Sequence, residues 1–191
     1  MIVNESELGL VGGDAGNDTI YGGSDGDVIG GGIGDDSIFG GPGNDGLNGH
    51  EGADYINGGE GNDVLAGTYT NGPNSNDLGT GIDTLDGGPG DDILIMNRGE
   101  IGIGGDGNDS FSVAGTGSLE TPVAHITDFE PGIDSLEVKY QFQEGIEPTV
   151  SVSYDDLSDT TNVYLDGDLL ATIVGDAGLT PEMIEMSEQY Y

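Results

Sequence analysis

Aspartate residues recur at a fixed spacing through the first half of this 191-residue chain. Each occupies the sixth position of a nine-residue unit, such as GGEGNDVLA at 58–66. The carboxylates and the carbonyls of the glycine-rich turns offer only oxygen, and the chain has no Cys and only 2 His. Oxygen-only, flexible sites suit Ca²⁺, whereas Mg²⁺ demands a tight octahedron and keeps its waters. We therefore expect calcium ligands at Asp18, Asp27, Asp36, Asp45, Asp54, Asp63, Asp83, Asp92 and Asp109.

Glycine fills most of positions 1, 2 and 4 of the same units. This suits a turn whose backbone visits positive φ and approaches a neighbour closely. Position 8 is a large apolar residue, so each unit predicts a glycine turn followed by about three extended residues with one inward side chain. A strand that short is not stable alone, so the units must stack. We expect the turn glycines of the metal sites to be Gly13, Gly16, Gly31, Gly34, Gly40, Gly43, Gly58, Gly61, Gly87, Gly90, Gly104 and Gly107.

The repeat divides the chain into three segments. The units run in phase over 13–112, with an interruption at 67–77 and a degenerate unit, MNRGEIGI, at 96–103. Residues 1–12 form a lead-in, whose apolar residues predict one strand: Ile2, Val3, Leu8, Leu10 and Val11. Residues 113–191 have an ordinary composition and form the third segment.

The unit matches the pattern GGxGxDxUx, and in this it resembles the RTX (repeats-in-toxin, haemolysin-type) calcium-binding family. The resemblance implies an all-β fold, a right-handed parallel β-roll solenoid in which two nonapeptides make one turn. It also implies that position-6 carboxylates and turn carbonyls of neighbouring coils sandwich Ca²⁺ along both edges. Because each ion needs two turns of one edge, we expect roughly six to eight Ca²⁺. Central residues such as Asp36 and Asp45 would serve two ions each, and the terminal Asp109 fewer.

Electrostatic repulsion makes the metal part of folding. Lys and Arg number 2 against 37 Asp and Glu, a net charge of −35, which excludes nucleic acid and anionic membranes as electrostatic partners. Carboxylates about 5 Å apart repel by roughly 3 kcal/mol at an effective dielectric near 20.

An alternative to metal binding is that a position-6 Asp only forms hydrogen bonds within its own turn and with solvent. This alternative has most weight for Asp83 and Asp109. We expect His50 to be a solvent-facing turn residue.

The last segment predicts a β-rich cap. Residues 123–129, 135–140, 149–154 and 162–174 alternate like strands, and Asp166-Gly167 indicates a hairpin. Thr180 before Pro181 indicates an N-cap and a short helix. A solenoid needs a terminal cap, and we expect five side chains to close the roll: Phe111, Ile126, Phe129, Leu136 and Val138.

The stretch HITDFEPGIDSLEV is similar to the segment that follows the repeats in RTX proteins, including serralysin-type proteases. That resemblance implies an uncleaved type I secretion signal, with the bacterial type I apparatus as a partner and an extracellular location. Residues 1–11 lack the basic and apolar regions of an N-terminal signal peptide. No run approaches the ~20 apolar residues of a membrane span.

Two classes of function remain open. His50 and His125 lie far apart, and HExxH and GxSxG motifs are absent, so we expect no enzyme. The first class is a secreted protein that binds Ca²⁺ and folds in response. The second is a self-assembling subunit of a surface layer, matrix or filament, a homo-oligomer joined through an uncapped N-terminal coil. A C-terminal piece of a larger toxin, protease or adhesin is a further alternative.

Overall fold

A computed structural model describes residues 2–3, 10–67, 81–114, 123–140, 148–175 and 178–188. The described chain is all-β, with a single turn of 3-10 helix at Pro181–Met183. The strands are β1 (Ile2–Val3), β2 (Leu10–Gly12), β3 (Thr19–Tyr21), β4 (Val28–Ile33), β5 (Ser37–Pro42), β6 (Gly46–Glu51), β7 (Tyr55–Glu60), β8 (Val64–Ala66), β9 (Thr84–Pro89), β10 (Ile93–Met96), β11 (Ile101–Asp106), β12 (Ser110–Ala114), β13 (Ala124–Ile126), β14 (Ser135–Tyr140), β15 (Val150–Asp155), β16 (Thr160–Leu165), β17 (Asp168–Val174) and β18 (Ile184–Glu188).

The strands form two sheets, and successive repeat strands alternate between them. The odd sheet has the order β1-β3-β5-β7-β9-β11-β13-β17-β16-β15, and the even sheet has the order β2-β4-β6-β8-β10-β12-β14-β18. All pairs from β1 to β14 are parallel. This is the predicted parallel β-roll, in which each turn of the solenoid contributes one strand to each sheet.

The pairing register confirms that two nonapeptides make one coil. Ile20 lies beside Ile38, and Ile38 beside Ile56, each 18 residues apart in sequence. The strands are longer than the three residues predicted. β5 and β7, for example, have 6 residues each, because the glycines after position 9 also pair with the next coil, as Gly41 does with Gly59.

The core is a double row of position-8 side chains between the sheets. They are 0–2% exposed: Ile20, Ile29, Ile38, Leu47, Ile56, Leu65, Leu85, Leu94 and Phe111. In the degenerate unit, Gly102 pairs with Leu85 and so takes the position-8 place. A methyl group built on Gly102 would lie 2.7 Å from Met96 Sδ. Met96, which is 1% exposed, therefore fills the space that the missing side chain leaves.

The lead-in contains two strands where one was predicted. β1 pairs with β3 and β2 pairs with β4, which puts them in opposite sheets. The two segments separate because each pairs with the strand one coil, or 18 residues, later in the chain. Ile2 pairs with Ile20 in one sheet, and Val11 pairs with Ile29 in the other. The predicted contribution of Leu8 lies outside the described residues.

The third segment continues both sheets. β14 and β18 extend the even sheet in parallel, while β13 and β17 extend the odd sheet before β16 and β15 close it antiparallel. The predicted hairpin is confirmed, with φ of 53° at Asp166 and 88° at Gly167. The predicted capping residues are all buried, at 0–7% exposure: Phe111, Ile126, Phe129, Leu136 and Val138.

The short helix expected after Thr180 is confirmed as one turn of 3-10 helix at Pro181–Met183, with Pro181 in its first turn. The expected side-chain cap is wrong, because Thr180 makes no such hydrogen bond. The chain then extends as β18, because Ile184 pairs with Leu136 and Met186 with Val138 on the last coil. Tertiary pairing overrides the local helix signal here.

Candidate metal-binding turns

The position-6 aspartates form two ladders. The first ladder precedes the odd strands and consists of Asp18, Asp36, Asp54 and Asp83, and the second precedes the even strands and consists of Asp27, Asp45, Asp63, Asp92 and Asp109. Within each ladder, Oδ1 of one Asp accepts a hydrogen bond from the backbone N–H of the Asp one coil earlier. These donor–acceptor distances are 2.7–3.0 Å. Register in the sheets thus stacks all nine carboxylates along two lines.

The second carboxylate oxygen is buried without a partner in six of these residues. Oδ2 has no hydrogen bond in Asp36, Asp45, Asp54, Asp63, Asp92 and Asp109. Each of the six residues is only 1–2% exposed. An unsatisfied buried carboxylate is costly, so buried charges in proteins are paired or coordinate metals. The unpartnered atoms therefore fit a cation.

Position-1 glycines make the space that these oxygens face. A methyl group built on Gly58 would lie within 3.0 Å of Asp63 Oδ2 and 2.6 Å from the carbonyl oxygen of Gly87. At Gly87 the corresponding atoms are Asp92 Oδ2 and the Gly104 carbonyl oxygen. A carboxylate oxygen and a turn carbonyl from the next coil thus converge on one small volume. Hard oxygen donors of this kind are those that Ca²⁺ takes.

The predicted glycines divide into two roles. Those at position 4 have φ between 113° and 157°, where any other residue is strained: Gly16, Gly34, Gly43, Gly61, Gly90 and Gly107. Those at position 1 instead lie beside the carboxylate of their own unit, where a side chain would not fit: Gly13, Gly31, Gly40, Gly58, Gly87 and Gly104. Carbonyl oxygens of both groups point toward the neighbouring coil.

Burial shifts the acidity of the central carboxylates. It raises the pKa of Asp54 and of Asp92 to about 7 and that of Asp63 to about 6. Backbone N–H donors oppose this shift, and neighbouring aspartates add to it. Burial also raises the pKa of Asp36, and the nearby His50 opposes this shift. An ion pair joins Lys139 Nζ to Glu137 Oε2 at 3.6 Å.

Within the described ranges, three or more His, Cys, Asp or Glu side chains never converge on one point. A cation between coils would be held by aspartates of neighbouring turns together with turn carbonyls. His50 is exposed as expected but lies near the end of β6, with a φ of 73°. His125 is also exposed, and its Nδ1 lies 2.5 Å from Thr172 Oγ1.

Three acidic residues escaped the sequence analysis. Asp134 Oδ1 accepts a hydrogen bond from the backbone N–H of Asp109 at 2.9 Å. Asp134 therefore continues the second ladder, and Asp109 is not the last residue of that ladder. Asp128 accepts from the N–H groups of Gly104 and Gly105, both at 2.9 Å. Glu100 precedes β11 and takes the position-6 place of the degenerate unit. The signal was available for Asp134, because Asp134 and Leu136 reproduce the spacing of positions 6 and 8.

Burial raises the pKa of Glu100 to about 8, and the charge of Asp83 adds to the shift while hydrogen bonds from Asn97 oppose it. Glu100 is 4% exposed. It accepts from the backbone N–H of Asn97 at Oε2, over 2.9 Å, and from Asn97 Nδ2 at Oε1, over 3.2 Å. The degenerate unit therefore keeps a buried carboxylate in the line of the first ladder.

Sequence comparison agrees with this geometry. A family model described as the RTX calcium-binding nonapeptide repeat, 4 copies, matches residues 12–38, 30–65 and 77–100. Residues 12–65 and 77–100 thus match RTX calcium-binding nonapeptide repeats. This confirms the resemblance drawn from the nonapeptides, and RTX nonapeptide repeats bind Ca²⁺. The matched ranges include all the ladder aspartates except Asp109.

Two of the solved structures that are similar to the chain illustrate the comparison. A solution structure of a subunit of the Azotobacter vinelandii mannuronan C5-epimerase is 23% identical, with 84% of this chain and 78% of that one covered and a TM-score of 0.29. The extracellular lipase LipA of Serratia marcescens is 15% identical, with a TM-score of 0.26; 91% of this chain is covered, and it spans 40% of the lipase.

No curated protein matches the chain. Among its described helices, none is long and apolar enough to cross a membrane.

Proposed function

We propose that this RTX protein is a secreted, non-catalytic calcium-binding protein that folds when Ca²⁺ binds. The observation that carries the proposal is the set of six buried Oδ2 atoms without partners, in residues that are 1–2% exposed. At Asp36, Asp45, Asp63 and Asp92 a turn carbonyl oxygen of the next coil lies beside the same position-1 glycine as Oδ2. The residues that would hold the ions are the position-6 aspartates and the turn glycines. A bound Ca²⁺ supplies positive charge between coils, and the chain supplies oxygen ligands at a spacing set by the sheets.

Folding and calcium binding are one process in this proposal. Neighbouring ladder carboxylates would repel by roughly 3 kcal/mol per pair at about 5 Å and an effective dielectric near 20. Repeated along two edges, this exceeds what a single double row of Ile and Leu holds in reserve, since whole domains are stable by only about 5–15 kcal/mol. Sites that exist only in the folded chain convert binding free energy into folding free energy.

The ladders suggest how many ions are bound. Among the nine position-6 aspartates, hydrogen bonds join three neighbouring pairs in the first ladder and four in the second, which gives seven gaps. The bond from Asp109 to Asp134 adds an eighth gap. One Ca²⁺ per gap agrees with the roughly six to eight ions expected from the sequence.

Calcium-dependent folding would also suit export from the cell. A chain that is unfolded at low cytosolic calcium can pass a type I transporter and fold outside the cell. The support for this route is the resemblance of HITDFEPGIDSLEV to the segment that follows RTX repeats. The proposal of no catalysis is supported by the positions of the two His, which are exposed on separate parts of the roll.

A second function, calcium-dependent self-assembly, has one specific observation in its favour. In the described part of the chain, β2 pairs on one side only, with β4, and its Leu10 is 88% exposed. An open strand edge with an exposed apolar residue is a template for another chain. Pairing of two such ends would stop at a dimer, whereas contact with a different surface would propagate.

The test of the main proposal is calcium titration of the decalcified chain. We expect little β signal by circular dichroism without Ca²⁺, a cooperative gain of β structure in millimolar Ca²⁺, and no equivalent gain with Mg²⁺. Equilibrium dialysis with radioactive calcium counts the ions. A full β spectrum without metal at neutral pH would overturn the coupling of folding to calcium, and a chain that binds no Ca²⁺ would overturn the function.

A further inference from the structure

The first ladder ends in an arrangement that the repeat motif does not describe. Its last aspartate, Asp83, belongs to the unit after the interruption, and the position-1 role beside it falls to Gly67. A methyl group built on Gly67 would lie within 3.0 Å of Asp83 Oδ2, as at the other position-1 glycines. A second oxygen lies near the methyl group built on Gly67. It belongs to a side chain, whereas at other position-1 glycines the second oxygen is a backbone carbonyl.

At Gly31, Gly40, Gly58 and Gly87, the second oxygen is the carbonyl of the position-1 glycine one coil later. At Gly67 it is Glu100 Oε1, 2.7 Å from the same built methyl group. The degenerate unit 96–103 is one residue shorter than the nonapeptide and has no position-1 glycine. The longer side chain of Glu100 therefore brings an oxygen to the place where the missing turn would have put its carbonyl.

The side chain is held in this position. Asn97 donates to both carboxylate oxygens, through its backbone N–H at 2.9 Å and its Nδ2 at 3.2 Å. Each carboxylate oxygen has two lone pairs, so these bonds leave Oε1 able to bind a cation. Glu100 is 4% exposed and Asp83 is 2% exposed, so the two carboxyl groups are buried together between coils.

We propose that Asp83 and Glu100 hold one further Ca²⁺ at the end of the first ladder, in a two-carboxylate site where Glu100 Oε1 replaces the turn carbonyl of the repeat motif. This inference rests on the proposed function, because it adds one site to the same row. It assigns a role to a unit that lacks both the aspartate and the glycines of the motif.

The experiment counts Ca²⁺ per chain by equilibrium dialysis, with calorimetric titration for affinities. Glu100→Gln keeps the shape and one of the two acceptor oxygens but removes the charge, and we expect it to bind one ion fewer than the parent. Glu60→Gln removes an equal charge from an exposed turn residue and should bind the full number. Asp83→Asn should lose the Glu100 ion together with the ion it shares with Asp54.

Two further variants keep the test decisive should Glu100→Gln fold poorly. Gly67→Ala places a methyl group between the two oxygens and should remove the same ion. Glu100→Asp keeps the charge, but its side chain is one methylene shorter and the carboxylate no longer reaches the site. The affinity for that ion should therefore fall about tenfold or more. Equal ion counts and affinities in the parent and in all folded variants would mean that the two carboxyl groups only share a proton, and the site would be rejected. A parent that binds no Ca²⁺ would instead reject the proposed function.

Discussion

Asp63 accepts a 2.8 Å hydrogen bond from the backbone N–H of Asp45 at Oδ1, while its Oδ2 is buried without a partner. One oxygen of the carboxylate thus fixes its orientation against the previous coil, and the other is left for a cation. The relation holds for all six aspartates with an unpartnered Oδ2, so in the proposed function the backbone hydrogen bond and the metal would use different atoms of the same side chain.

This division predicts the effect of Asp45→Asn. The amide keeps Oδ1 as acceptor for the N–H of Asp27 but replaces the free Oδ2 and its charge. Losing one charged contact of about 1.5–3 kcal/mol should weaken binding at the affected site roughly tenfold or more, and it should raise the calcium concentration at the folding midpoint. Asp25→Asn, at an exposed turn position, removes an equal charge and should leave the midpoint nearly unchanged. Equal shifts in both variants would show that net charge alone matters.

The position-1 glycines can be tested with a matched pair of alanines. Gly58→Ala puts a methyl group between Asp63 Oδ2 and the Gly87 carbonyl, so it should abolish binding at that turn and weaken folding. Gly46→Ala is the control, because its nearest neighbour atom would be 3.9 Å away. Its backbone has no positive φ, and the variant should be neutral or more stable by about 0.4–1 kcal/mol. Calcium titration followed by circular dichroism compares the two.

The double row of apolar side chains should be sensitive to truncation. Ile38 is 0% exposed between Ile20 and Ile56, and Ile38→Ala should cost about 2–5 kcal/mol of unfolding free energy. Ile33→Ala, at a residue that is 55% exposed, should cost far less. Denaturant unfolding in saturating Ca²⁺ measures both. Similar losses of unfolding free energy in the two variants would mean that the core does not lie between the sheets.

Acid should partly replace calcium in folding the metal-free chain. The folded pKa values of Asp54 and Asp92 are about 7 and that of Asp63 about 6, all above the unfolded value of 3.8. The folded state therefore binds protons first, so its stability rises as pH falls through 7 to 6 and is fully gained near 4. Circular dichroism of decalcified protein should show more β structure at pH 5 than at pH 8.

Calcium-loaded protein should show the opposite trend, because protons compete with Ca²⁺ for the same carboxylates. Its apparent affinity should fall as pH drops from 8 to 5. An apo chain whose β content does not change between these pH values would contradict the link between burial and charge.

Self-assembly has its own test at the first described coil of the even sheet. Leu10→Lys places a charge on an edge strand at a side chain that is 88% exposed, which should block pairing without disturbing the core. Val11 is a poorer target, because it packs against the core cluster. Sedimentation in Ca²⁺ should show a larger species for the parent than for the variant. Monomers in both cases would dismiss assembly through this edge.

The amino-acid sequence by itself determined the repeat, its phase, the nine aspartates and the apolar row. These are local properties, because the type of residue at each position of a nonapeptide follows from turn geometry and from the alternation of a half-buried strand. The hairpin at Asp166-Gly167 is equally local, since two residues with positive φ define it.

Only the tertiary structure decided which turns lie side by side. Pairing between successive coils placed Ile2 and Val11 in separate sheets, put Asp134 after Asp109, and brought Glu100 to Asp83 and Gly67. It also turned the residues after Met183 into a strand against β14. These contacts join residues whose own segments lack the motif, and they form because an exposed sheet edge takes whichever segment the register brings to it.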